Sequence, residues 1–312
     1  MLQEIRVFAP ATISNIGCGF DIMGFAVEEP GDQIVLKISN KKGVRITSIK
    51  GDNGKLPYAP EKNTAGAPII SMLKKYAPSL GIEIEIDKKM PFGSGLGSSA
   101  ASAVAGAFAM NKLLELNLSP YELLPFALEG EVIASGSIHA DNVAPSLYGG
   151  FTLIRDYNPI DIIKIECPDN LFCSILHPNI EISTKEAREI LPKEITLSNA
   201  ITQWGNCSGL VAGLLMNDFS LIGRSIKDVV VEPYRAKLIP GYYQIQKAAV
   251  EAGALGCNIS GSGPSIFALS KGKESAQKVG EAMLKKLYDS KIEGQLYISP
   301  INKQGPKVIY SK

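Results

Sequence analysis

The sequence predicts an α+β protein built as two units, residues 1–155 and 156–312. Three observations lead there. The first ninety residues are dominated by short apolar runs of strand type. Two long helical patterns, each opened by serine, follow them. After about Tyr157 the alternation begins again and ends in the order of a split βαβ sandwich.

In the first unit, stretches 5–12, 20–28, 33–39, 44–49 and 81–87 alternate or run apolar between Gly, Pro and Asn, which marks strands. Residues 63–77 have helical spacing, as do 98–116 and 119 to about 135, the last two with a serine suited to capping. Residues 147–157 return to strand through a turn at Tyr148 to Gly150. In the second unit, 162–166 and 171–177 read as strands and 198–216 as helix. The tail then runs helix 242–254, strands 255–260 and 264–270, helix 274–288 and strand 293–299. There is no internal repeat.

At 312 residues, 45% of them hydrophobic, the chain can bury two sizeable cores. Thirty-two basic and 31 acidic residues nearly cancel, and no basic run is interleaved with aromatics, so no nucleic-acid partner is expected. The five cysteines are scattered and never spaced CxxC, which fits reduced thiols better than a disulfide framework or zinc site. With charges at Glu4 and Arg6 and no apolar run of 18 residues, neither a signal peptide nor a membrane span is predicted, and the expected location is the cytoplasm.

Residues 90–105, MPFGSGLGSSAASAVA, carry the chemistry. The dinucleotide pattern GxGxxG would need glycine where Ser98 stands, and the P-loop would need a lysine that the stretch lacks. Glycines still permit close approach of backbone to ligand, and the loop enters a helix whose first N–H groups have no internal partner. Those amides and the helix dipole make an anion site suited to phosphate. Ser98 and Ser99 can cap the helix, and a serine hydroxyl beside a phosphate can ligate Mg²⁺. The alanines after them suit close packing of the helix against a sheet.

The segment PFGSGLGSSAA is similar to the nucleotide-binding motif of the GHMP kinases, which include galactokinase, homoserine kinase, mevalonate kinase and phosphomevalonate kinase. Stretches 9–32, APATISNIGCGFDIMGFAVEEPGD, and 253–269, GALGCNISGSGPSIFAL, resemble that family in order and spacing, so the likeness covers nearly the whole chain. Within the family, segments 129–150, 183–192 and 232–241 resemble the substrate side of homoserine kinases, including an HxDN cluster.

The resemblance implies an N-terminal α/β domain of the ribosomal protein S5 domain 2-like type and a ferredoxin-like C-terminal domain. It also implies ATP-dependent phosphorylation of the side-chain hydroxyl of L-homoserine, Mg²⁺ as cofactor, and a homodimer. By resemblance, Pro91, Phe92, Gly93, Ser94, Gly95, Leu96, Gly97, Ser98, Ser99, Ala100 and Ala101 wrap the phosphates, Asn63 lies near the purine, and Ser99 and Glu131 hold Mg²⁺.

A zwitterionic amino acid requires a cation for its carboxylate and an anion for its ammonium. Arg188 and Arg235 take the first role by resemblance, Asp21 and Asp141 suit the second, and Asn15 and His139 add hydrogen bonds. Thr184, next to Arg188, can approach the phosphates, and His177 is expected to be structural. For the hydroxyl, Asp141 can accept the proton, or Asn142 can orient it without a strong base. The second is preferred, with Asp141 holding the substrate. A mevalonate-type or shikimate substrate and a non-catalytic binding module are the alternatives. Ser99, Glu131 and the complete glycine loop speak against the module.

Overall fold

The computed structural model describes residues 2–136 and 138–312. Strands β1 (Glu4–Ser14), β2 (Met23–Ser39) and β3 (Gly43–Lys50) lead to helix α1 (Gly66–Tyr76) and strand β4 (Gly81–Asp87). Helices α2 (Ser98–Leu113), α3 (Pro120–Ser135) and α4 (Ala140–Tyr148) follow, then β5 (Phe151–Tyr157) and β6 (Ile160–Ile165). The second half comprises β7 (Leu171–Pro178), α5 (Thr184–Glu189), α6 (Leu197–Leu215), α7 (Phe219–Ser225) and α8 (Glu232–Arg235). It ends with α9 (Tyr242–Glu251), β8 (Gly256–Ile259), β9 (Ile266–Lys271), α10 (Lys273–Asp289), β10 (Gly294–Pro300) and β11 (Lys307–Ser311).

The first sheet has the order β11-β1-β2-β4-β3, with β5 on β2 and β6 on β5. Only β3 and β4 are parallel within it. The second sheet is antiparallel in the order β10-β7-β9-β8, the arrangement of a split βαβ sandwich with α9 and α10 against it, as the tail predicts. Phe25 on β2 joins the units, stacked on Phe151 at 4.7 Å and edge-on to Phe267 of β9 at 5.9 Å.

Helix α2 is buried nearly all round because its residues are small, and it packs on β1 and β2 with α1, α3 and α4 beside it. It ends at Leu113 rather than 116, since Glu115 adopts φ +53°. The runs at 20–28 and 33–39 are one strand, β2, bent between two pairing partners. The boundary expected at 155 falls inside β5. The first sheet continues through β6 and also takes β11 from the C-terminal end, a strand of largely exposed residues with no core alternation to betray it. Helix α4, which contains Pro145, was not expected between His139 and the turn at Gly149. Among the described residues no helix is long and apolar enough to cross a membrane, and the five cysteines are free.

Candidate active site

A cavity of about 590 Å³ lies between the glycine loop, the N-terminus of α4, the loop after β1, α5 and the turn between β8 and β9. At one end Gly97 is the N-cap of α2, with φ +64°, and no side chain caps that helix among the described residues. A Cβ on Gly97 would stand 2.1 Å from Thr12 Oγ1, so only glycine lets the loop lie against β1. The first helical bond runs from Ala101 N to Gly97 O, which leaves the preceding amides of α2 outside the ladder, at the end facing the cavity. Ser94 Oγ is buried at the wall with no hydrogen-bond partner among the described residues. An orphaned hydroxyl beside an open helix N-terminus suits a phosphate oxygen.

The expectation that Ser98 caps α2 is corrected. Ser98 lies within the helix and donates from Oγ to Asp32 Oδ2 at 3.1 Å. Asp32 is fully buried on β2 and also accepts from the amides of Lys89 and Met90. Its ion-pair partner is Lys88, 5% exposed, whose ammonium additionally donates to Ser98 O at 2.9 Å and Ser102 Oγ at 2.7 Å. Three donors meet three acceptors, so the loop is pinned from beneath by a satisfied buried pair. Sequence reasoning looked for a lysine inside the loop and missed this one just before it.

The turn between β8 and β9 braces the loop from the other side. Ser260 Oγ donates to Gly95 O at 2.6 Å, and Ser265 N to Ser94 O at 3.2 Å. Gly261 and Ser262 of this turn line the cavity. Phe92, Gly93, Ser94, Gly95, Leu96, Gly97, Ser98 and Ser99 line it too. Pro91, Ala100 and Ala101 lie outside the wall, the alanines fully buried against the sheet. Asn63 is likewise buried away from it: its amide donates to Pro57 O and its oxygen accepts Ala65 N, while neighbours Lys62 and Thr64 reach the cavity.

Glu131 of α3 and His139, before α4, meet at the middle of the cavity, Nδ1 to Oε1 at 3.4 Å. The hydrogen bond to Glu131 is the largest influence raising the His139 pKa, against burial. Asp141 sits in the first turn of α4, buried, and that burial, with Asp21 as second cause, pushes its carboxyl up to about 7. Asn142 Oδ1 accepts the hydroxyl of Thr12 at 3.2 Å, and its Nδ2 lies 3.5 Å from Asp141 Oδ1. Thr12 thus fixes the rotamer of Asn142, a role with no sequence signal beyond a polar residue in a buried strand.

At the far end Arg188 and Asp21 form a two-pronged ion pair, 2.9 and 2.8 Å. Arg235 is almost buried and donates to Ala187 O and, at 2.6 Å, to Gly261 O, which also accepts Asn15 Nδ2 at 3.0 Å. Burial first, then Arg188, brings Arg235 down to about 10, so it remains a cation at neutral pH. Both guanidiniums lie over the ring of Phe20, at 5.3 and 5.1 Å. The loop after β1 reaches them through left-handed Asn15, Ile16 and Asp21, a cost held in place by Asn15 Oδ1 accepting Asp21 N and by Gln203 donating to Cys18 O. Thr184 and Lys185 also line the cavity. His177 stands elsewhere, buried against Ser265, the structural group expected.

Residues 63–150 match the family model "GHMP kinases N terminal domain" and residues 210–289 match "GHMP kinases C terminal". The chain belongs to the GHMP kinase family. The homoserine kinase of Chlorobium phaeobacteroides (strain BS1) is 49% identical, over 99% of this chain and 100% of its own length. That of Xylella fastidiosa (strain M12) is 36% identical over 98% and 94%. The crystal structure of homoserine kinase from Cytophaga hutchinsonii superimposes with a TM-score of 0.97 at 60% identity, covering 99% of this chain and 98% of the other. A mevalonate kinase from L. major, at 17% identity and TM-score 0.72, shares the GHMP fold.

Proposed function

We propose that this GHMP kinase transfers the γ-phosphoryl group of ATP to the side-chain hydroxyl of L-homoserine, releasing ADP and O-phosphohomoserine. The observation that carries the substrate is the far end of the cavity. Arg188 and Arg235 face Asp21 and Asp141 there, two cations and two carboxylates within one wall, which matches an amino acid's carboxylate and ammonium. A mevalonate-type or shikimate acid has no ammonium to offer those carboxylates. High identity to proteins named homoserine kinase along the full chain supports the same reading.

The phosphates of ATP lie on the amides of the glycine loop, with the α2 dipole behind them and the Ser94 hydroxyl as a further donor. Ser99 and Glu131 are the ligands proposed for Mg²⁺. One hydroxyl and one carboxylate at the wall fit an ion that fills its remaining positions with phosphate oxygens and water. When bound, that ion supplies positive charge to the transferring phosphoryl group. Asn142 orients the hydroxyl of homoserine, held in one rotamer by Thr12, while ionised Asp141 pairs with the ammonium. The hydroxyl oxygen forms the new P–O bond as the bond to the ADP oxygen breaks, and the hydroxyl proton passes late to an oxygen of the transferred phosphoryl group and from there to water, so no strong base is needed. Asn63, Pro91, Ala100 and Ala101 hold in place the neighbouring residues that face the nucleotide. The protein acts in the cytoplasm as a homodimer.

Coupled ADP-release assays test the reading, with L-homoserine, L-serine, mevalonate and shikimate, each with and without Mg²⁺. Turnover of homoserine alone, dependent on Mg²⁺, is expected. Turnover of mevalonate without homoserine would overturn the substrate, and no ADP with any alcohol would overturn the reaction.

A further inference from the structure

Phe20 is a large aromatic residue that, among the described residues, belongs to neither apolar core. It is half-buried, and it does not line the cavity. Its ring lies instead against two cations, with Arg188 Cζ 5.3 Å and Arg235 Cζ 5.1 Å from its centroid. An aromatic ring attracts a guanidinium through the quadrupole of its face. The residue therefore meets the site only through the two arginines behind which it stands.

The backbone around it is fastened. Phe20 sits in the turn from Gly19 to Met23, where Ile22 N and Met23 N donate to Gly19 O at 3.0 and 2.9 Å. Asn15 Oδ1 accepts Asp21 N, and the Tyr157 hydroxyl donates to Asp21 O at 2.6 Å, so the loop after β1 and strand β5 both hold the turn. Consecutive positions of that turn then offer Arg188 a carboxylate, from Asp21, and Arg188 and Arg235 together a ring, from Phe20.

Two like charges over one ring repel each other, and the remaining partners do little to hold them together. Arg235 donates to Ala187 O and Gly261 O, which are uncharged. Arg188 has Asp21, but in the complex proposed above Asp21 exchanges this partner for the ammonium of the substrate. A second carboxylate beneath the arginines would compete with the substrate for their N–H donors. The ring attracts both cations and brings no oxygen to that competition.

We propose that Phe20 is a positioning residue of the amino-acid subsite: its ring fixes Arg188 and Arg235 at the separation that a substrate carboxylate bridges, and it holds Arg188 once Asp21 turns to the ammonium. The inference rests on the reading of the two arginines as carboxylate readers and adds the group that aims them.

Steady-state kinetics with L-homoserine and ATP test the assignment. Phe20→Leu keeps an apolar side chain and removes the ring, so the KM for homoserine should rise about tenfold, with kcat and the KM for ATP within about twofold of wild type. Phe20→Met, an unbranched side chain of similar reach, should give the same result by a second route. Phe20→Tyr keeps the ring and should stay within about threefold of wild type. The deciding measurement is a double-mutant cycle. A ring that acts through guanidiniums has less to lose once one of them is gone, so Phe20→Leu added to Arg235→Met should raise KM by at most about threefold more. Loss of a residue that only fills space would multiply in full. Losses that multiply, a Phe20→Tyr as impaired as Phe20→Leu, a Phe20→Leu KM within about twofold of wild type, or equal losses toward ATP and homoserine would overturn the role of Phe20 and leave that of the arginines standing. A homoserine KM unchanged in both Arg188→Met and Arg235→Met, or a wild type that does not turn over homoserine, would overturn the carboxylate reading, and the inference with it.

Discussion

At the glycine-loop end of the cavity the ligand-facing groups are backbone amides, held by the buried Asp32–Lys88 pair and by Ser260. At the Arg188 end they are side chains, of which Arg188 is exposed and bonded to Asp21 while Arg235 and Asp141 are buried. The first end is pre-formed and loses nothing when phosphate arrives. In the complex proposed above, the second exchanges one ion pair for two, a carboxylate on Arg188 and an ammonium on Asp21. Nucleotide affinity is therefore coupled to folding, whereas the exposed Arg188–Asp21 pair can be changed with the fold intact.

The largest effect expected from this difference is on stability. Lys88→Met leaves Asp32 buried without its cation, a loss of about 3–5 kcal/mol in denaturant unfolding. Asp32→Leu/Lys88→Met, which removes both charges, should recover part of that. A single variant within about 1 kcal/mol of wild type would mean the loop is not fastened by this pair.

Next in size is Arg235→Met. Removing the cation proposed to read the substrate carboxylate should lower kcat/KM for homoserine by about 100-fold through KM, with KM for ATP within about twofold. Equal losses toward both substrates would erase the distinction between the two ends. Glu131→Gln lies between the ends and should be smaller still. The Mg²⁺ concentration for half-maximal turnover should rise by at least about tenfold while the thermal midpoint stays within about 2 °C. An unchanged Mg²⁺ requirement would remove Glu131 from the metal site.

The same contrast explains what could be read from the sequence. The glycine loop is local, so its spacing disclosed an anion site at the start of α2 with no knowledge of the fold, and the charged residues of the far end were found through resemblance. The fastening beneath the loop was not legible, because Asp32 and Lys88 are 56 residues apart and look like ordinary strand-end charges until β2 and β4 are paired. Thr12 and Phe20 are hidden for the same reason. Strand β11 and helix α4 were missed on local grounds: one lacks an apolar face, and the other holds a proline where helix propensity argues against helix.

The finest test concerns Asp141 and Asn142, in the first turn of α4. Burial raises the Asp141 carboxyl to about 7, so the folded protein keeps a proton that the unfolded chain loses near pH 4. Folding stability from this group is therefore fully present below about pH 4 and declines as pH rises through 7. Binding the ammonium requires the ionised form, so KM for homoserine should rise as pH falls below 7, by at most tenfold per unit. Asp141→Asn should weaken homoserine binding and flatten that rise, while Asn142→Ala should lower kcat with KM nearly kept, because it removes the group proposed to aim the hydroxyl. If Asp141→Asn instead lowers kcat and leaves homoserine KM unchanged, the carboxylate is the proton acceptor, and Asn142 serves only to hold it between Thr12 and the substrate.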